Sequence, residues 1–131
     1  MQSRRRKMPL TTKQSVARLV LLVVYWSVLF WGTHRTFTHP PVIKLSDKLV
    51  HVIAYTGLGV LLSLTITAFW PQTSVSRTAL LIIMSYGILD ELTQLFVGRK
   101  AEIADWCADV LGGVIGIYLI VPIITGRVKT D

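Results

Sequence analysis

The sequence predicts an all-α membrane protein, four transmembrane helices in an antiparallel bundle. Three observations predict it. Four apolar stretches of near-spanning length follow one another with short polar links. Hydrophobic residues make up 52% of the 131-residue chain and charged residues 16%, against roughly 25% charged in an average soluble domain. A run of basic residues precedes the first apolar stretch, as a cytoplasmic anchor does.

The stretches are residues 16–31, 49–70, 78–97 and 106–125. A helix needs about 20 apolar residues to cross the hydrocarbon layer. The first is short by that measure unless Gly32 and Thr33 continue it. It also has the basic start and apolar run of a signal peptide. No small-residue cleavage site follows, because Trp31, His34 and Arg35 stand where such a site would fall, so it reads as a retained span. Tyr25, Trp26, Trp31 and Trp70 are expected at helix ends, where aromatic rings settle at the interface. The domain reading is a basic cytoplasmic tail at 1–15, a four-helix domain at 16–126 and a short tail at 127–131.

Of the links, the one after the first span contains Pro40-Pro41, which stops helix and favours extended chain. The second is a tight polar turn ending at Arg77. The third carries Arg99, Lys100 and Glu102. None has room for a soluble catalytic domain.

The net charge of +7 raises nucleic acid as a partner, but its distribution and the apolar content exclude it. Cys107, the only cysteine, rules out an intramolecular disulfide and a cysteine-rich zinc site. Orientation follows from the basic residues. One side of the bilayer holds nine of them, Arg4, Arg5, Arg6, Lys7, Lys13, Arg18, Arg77, Arg127 and Lys129. The other holds five, Arg35, Lys44, Lys48, Arg99 and Lys100. The positive-inside rule then places both termini in the cytoplasm.

The polar residues inside the apolar stretches carry the functional reading. Asp90 and Glu91 are adjacent in the third stretch, with Glu91 about 9 Å from its end at 1.5 Å per residue. Acids at such depth normally face protein and have a partner. Arg99, His51 and Lys48 are the candidates for Glu91, Arg99 by folding back over the helix end. Gly87, Asp90, Glu91 and Gln94 share an arc of about 100°, while Ile88, Leu92, Leu95 and Phe96 oppose it. On the fourth stretch Asp105, Asp109, Gly112 and Gly116 share a face, with Cys107, Val110, Leu111 and Val114 turned away. Asp47, His51 and Tyr55 are spaced four apart at the start of the second. Antiparallel helices bring these ends together, which predicts one cluster of Asp47, Lys48, His51, Tyr55, Asp90, Glu91, Gln94, Arg99, Asp105 and Asp109. Ala104, Ala108, Gly112 and Gly116 form a small-residue ridge for close helix packing. His34 and His39 read as loop polar residues.

Three blocks carry a family resemblance: Asp47-Lys48-x-x-His51-x-x-x-Tyr55, Asp90-Glu91-x-x-Gln94-x-Phe96-Val97-x-Arg99 and Asp105-x-x-x-Asp109-x-x-Gly112-x-x-x-Gly116. In order and spacing, over roughly residues 47–117, they resemble the VanZ-like family. The family pattern often has Asn where this chain has Asp109; Asp adds a charge and removes a donor. The resemblance implies a four-helix protein of the bacterial inner membrane and cell envelope. The founding member is associated with low-level resistance to teicoplanin. No established reaction comes with it.

The leading functional expectation is a polar pocket at the outer helix ends that holds an envelope lipid headgroup, a wall precursor, a glycopeptide or a partner helix. One alternative is an enzyme acting on an envelope lipid or glycan, with Glu91 or His51 as acid or base. Another is a small proton or solute transporter, and a third is a self-satisfied network that only locks the bundle. No nucleophile motif such as Gly-x-Ser-x-Gly or His-Glu-x-x-His is present. Carboxylates with His51 suit a divalent cation, but no residue is assigned to a metal and no cofactor is expected.

Overall fold

The computed structural model describes residues 11–35 and 47–126. The basic run Arg4 to Lys7, the Pro40-Pro41 pair, His39, Lys44, Arg127 and Lys129 lie outside the described residues. Among the described residues, four helices are long and apolar enough to cross a membrane: α1 (Thr12–Thr33), α2 (Asp47–Phe69), α3 (Val75–Val97) and α4 (Ile103–Thr125).

Helix α1 begins four residues before its apolar stretch because Thr11 caps it. The Gln14 amide donates to Thr11 Oγ1 at 3.3 Å, and Gln14 Oε1 accepts from the Thr11 amide at 3.0 Å, a reciprocal capping box. Gly32 and Thr33 do continue the helix, which supplies the missing length. Its buried residues are Ser15, Leu22 and Leu29. They stand seven apart, the repeat that keeps one seam against a nearly parallel neighbour; here that neighbour is chiefly α2. The rest of α1 presents Val16, Val20, Val24, Val28 and Trp31 outward, an apolar surface suited to lipid. Arg18, already inside the helix, reaches the Leu64 carbonyl with its Nη1 at 3.2 Å.

Tyr25 and Trp26 depart from expectation. Both lie near the middle of α1 rather than at an end. The Tyr25 hydroxyl donates to the Ala54 carbonyl at 2.7 Å, and its ring covers Gly57 of α2. Trp26 meets Tyr86 edge to face, with ring centroids 4.9 Å apart. Their polar atoms are aimed at protein, so no interface water is needed to satisfy them. Trp31 and Trp70 are exposed near helix ends, as the aromatic-belt argument requires.

Helix α2 is the centre of the bundle and touches each of the other three. It buries His51, Tyr55, Leu58, Gly59, Leu62, Ser63, Thr65 and Ile66. Its tightest partner is α4. A Cβ on Gly112 would strike the Val52 carbonyl, and one on Gly116 would strike the Thr56 carbonyl. Only glycine lets the two backbones come that close. Gly113, which the sequence reading passed over, faces α3 instead; its Cβ would lie 2.7 Å from Ile83 Cδ1. The predicted ridge fails at Ala104, which is exposed. A four-residue step overshoots a full turn by about 40°, so Ala104 has rotated well away from the line of Gly112 and Gly116. The buried face at that level passes to Asp105 and Ala108.

Helix α3 tightens into a 3₁₀ turn at Leu95–Val97 and stops at Gly98, whose φ of 77° is left-handed. The Arg99 amide then donates back to the Gln94 carbonyl at 3.2 Å and the Gly98 amide to Leu95 at 3.2 Å, which satisfies carbonyls the helix end would orphan. Helix α4 contains a π segment at Ile115–Ile120, followed by Val121–Thr125 with Pro122 in its first turn. Pro122 has no N–H to donate to the preceding turn, and a local widening accommodates that loss.

A polar cluster at one end of the bundle

The end of α1, the start of α2, the end of α3 and the start of α4 converge at one end of the molecule. All ten residues of the predicted cluster sit there. They form three linked groups rather than one continuous network.

The first joins α3 to α1. Asp90 is fully buried. Its carboxylate accepts from Thr33 Oγ1 at 3.0 Å, Gln94 Nε2 at 3.1 Å and the Tyr86 hydroxyl at 3.4 Å. His34 caps α1 and pairs its Nε2 with the Thr93 hydroxyl at 2.9 Å; its Nδ1 lies 3.7 Å from Asp90. His34 is therefore a structural contact between α1 and α3, not a loose loop residue. Arg99 does not fold back over Glu91. The left-handed Gly98 turns the chain, and Arg99 donates to the Thr33 carbonyl at 2.7 Å and to Asp47 Oδ2 at 3.4 Å.

The second group lies at the surface of this end. Lys48 Nζ donates to Asp105 Oδ1 at 2.7 Å and to Glu102 Oε2 at 3.2 Å. Lys48 too is thus committed elsewhere than Glu91.

The third group is the most buried. His51 Nδ1 and Asp109 Oδ1 are hydrogen-bonded at 2.7 Å, with side chains 3% and 0% exposed. Glu91 Oε2 accepts from the Glu102 backbone amide at 2.7 Å. That bond caps the start of α4 and holds the acid with a neutral donor instead of a cation. Among the described residues, Glu91 Oε1, Asp109 Oδ2, Gln94 Oε1 and the Tyr55 hydroxyl have no hydrogen-bond partner. Tyr55 is wholly buried, with its ring stacked between His51 and Tyr86 at centroid distances of 6.5 and 6.0 Å. Buried polar atoms without partners are few in native proteins and call for an explanation.

Beside Glu91 a cleft of about 360 Å³ opens between α3 and α4, lined by Ile88, Glu91, Leu92, Ala101, Glu102, Ile103 and Trp106. Trp106 is fixed by its indole N–H, which donates to the Met84 carbonyl at 3.1 Å. Ile88, Leu92 and Ile103 are exposed, so the mouth lies on the apolar flank of the bundle. Thr33, His34, Tyr86, Glu102 and Trp106 belong to this end but not to the predicted cluster. The shortness of the first apolar stretch was the available sign that Thr33 and His34 would join it.

Four spanning helices with buried acids gathered at one end define a multi-pass membrane protein of small size. The chain belongs to the VanZ/LLP1 family, whose model matches residues 2–125, well beyond the three blocks at 47–117. No curated protein and no solved structure matches it.

Proposed function

We propose that this protein binds the headgroup of an envelope amphiphile at the polar end of the bundle, with the acyl part against the α3–α4 cleft. One observation carries the reading. An apolar-walled cleft on the lipid-facing flank is lined in part by an acid, Glu91, one oxygen of which is buried and unpartnered among the described residues. Apolar walls with few placed polar groups are the usual make-up of a ligand site. A ligand that supplies a hydroxyl or amine donor partners the Glu91 carboxylate, whose buried Oε1 is brought to the cleft by a turn of the side chain, and its chain covers Leu92 and Ile103. The link to teicoplanin that the family resemblance implies fits as a consequence, since a protein holding an envelope amphiphile alters the surface a glycopeptide meets.

The reading is tested with a photo-reactive residue at Ile103, on the lip of the cleft, or at Leu111, on the bilayer face of α4. Capture at 103 is expected to enrich one class of amphiphile over the bulk lipid captured at 111. The same lipid mixture at both positions contradicts the proposal. The proximity of His51 to Glu91 is the observation that favours an enzyme instead, and recovery of a chemically altered amphiphile would decide for it.

The reading also sets the protein in the inner membrane of a bacterium, with both termini cytoplasmic and the polar end outward. In a Cys107→Ser background, Lys100→Cys and Phe37→Cys (the latter outside the described residues) are expected to react with a membrane-impermeant maleimide in intact cells. Labelling of both only after lysis reverses the orientation.

A further inference from the structure

We propose that His51, Glu91 and Asp109 form a binding site for one borderline divalent cation, Zn²⁺ or Mn²⁺, buried between α2, α3 and α4. One potential ligand atom from each residue lies within 4.8 Å of the other two, and all three residues are buried. The donor set is one imidazole and two carboxylates. That mixture suits Zn²⁺ and Mn²⁺ better than a soft ion that prefers thiolates. An ion with bonds of about 2.0–2.2 Å spaces its ligand atoms roughly 3–3.5 Å apart, so the site needs only small side-chain adjustments.

The second observation is the state of the carboxylates. Asp109 is 0% exposed and Glu91 6%. Neither meets a lysine or arginine among the described residues; their partners are a histidine and a backbone amide. Each keeps one oxygen, Asp109 Oδ2 and Glu91 Oε1, without a hydrogen bond. Two acids buried in an apolar bundle without a fixed cation are costly as anions. A divalent ion would balance both charges, and each carboxylate has an oxygen to spare for it. The Tyr55 hydroxyl is buried beside Asp109 and interacts with its carboxylate.

A second group, Asp47, His51 and Asp105, shares His51. Its acids are already engaged, Asp105 by Lys48 at 2.7 Å and Asp47 by Arg99 at 3.4 Å. Those fixed cations oppose a second positive charge, which leaves the inner group as the site.

This inference shares Glu91 with the amphiphile reading but rests also on His51 and Asp109, which do not line the cleft. The test uses the full chain in detergent, delipidated, freed of its affinity tag and stripped with a chelator. It is dialysed against Zn²⁺ or Mn²⁺ alone, and bound metal per chain is measured. One ion per chain is expected, with an affinity at least tenfold lower in Asp109→Asn and in Glu91→Gln and unchanged in Asp105→Asn. Co²⁺ loading of the wild-type chain gives a readout independent of any variant's folding: visible ligand-field bands that shift when Zn²⁺ displaces the ion. Absence of stoichiometric binding and of those bands overturns the site. So does binding that survives in folded Asp109→Asn and Glu91→Gln, or that is lost in Asp105→Asn. A metal result of either sign leaves amphiphile capture at position 103, performed with chelator present, to be judged by itself.

Discussion

Gly112→Leu is expected to abolish the folded bundle, whereas Val114→Leu two residues on is expected to be tolerated. At Gly112 a single added carbon already strikes the Val52 carbonyl and presses on the Thr56 amide and Tyr55 Cβ, at 3.1 Å each. Two of those atoms are backbone within α2 and cannot swing aside. The remaining response is to drive α2 and α4 apart, which uncouples His51 from Asp109 as well. Overpacking of a close interface costs about 1–3 kcal/mol and sometimes more; a leucine between two helix backbones belongs at or beyond the upper end. Val114 is half-buried on another face, and its enlargement should change stability by no more than about 0.5 kcal/mol. Monodisperse yield in detergent and thermal midpoint measure both variants. Equal loss in the two would contradict the facial assignment. Gly113→Leu is the informative intermediate, since it meets the Ile83 side chain, at 2.7 Å from Cδ1 and 2.9 Å from Cγ2, rather than backbone.

The fold was legible in the sequence to the extent that lipid dictates it. Apolar stretches near 20 residues must be helices there, because no water satisfies an unpaired backbone. The four spans followed from that, and helical spacing placed Asp90, Glu91, Gln94, Asp105 and Asp109 on the faces where they are found buried. What escaped depended on neighbours or on local backbone chemistry. The capping box moved the start of α1 from the apolar edge to Thr12. Tyr25 and Trp26 look like interface anchors in a linear sequence, but their destinations, the Ala54 carbonyl and the Tyr86 ring, lie on other helices. The π segment before Pro122 needs the local backbone to be seen.

The site divided in the same way. Which residues gather at the polar end was readable; which residue each one meets was not. Arg99 was the expected partner of Glu91, but a left-handed glycine sends it to Thr33 and Asp47. Glu91 is held instead by a main-chain amide at Glu102, a partner with no side-chain signature. The ridge through Ala104 assumed a four-residue repeat, while the true helical period drifts off that line and passes the buried face at that level to Asp105 and Ala108.

The central claim is that Glu91 serves a ligand and not only the bundle, and Glu91→Gln separates the two roles. Glutamine keeps the shape and an acceptor oxygen for the Glu102 amide, so the cap on α4 should survive. It removes the negative charge beside the cleft. Hydrogen bonds to charged groups contribute about 1.5–3 kcal/mol, and every 1.4 kcal/mol is about tenfold in affinity. The direct measurement is amphiphile capture by the photo-reactive residue at Ile103, in chelator, with thermal midpoint recorded on the same preparations. Capture at least about tenfold below that of the parent chain, with an unchanged midpoint and yield, is the predicted result. Undiminished capture by a stable Glu91→Gln protein would contradict it, and so would a loss of capture that only follows a loss of folded protein.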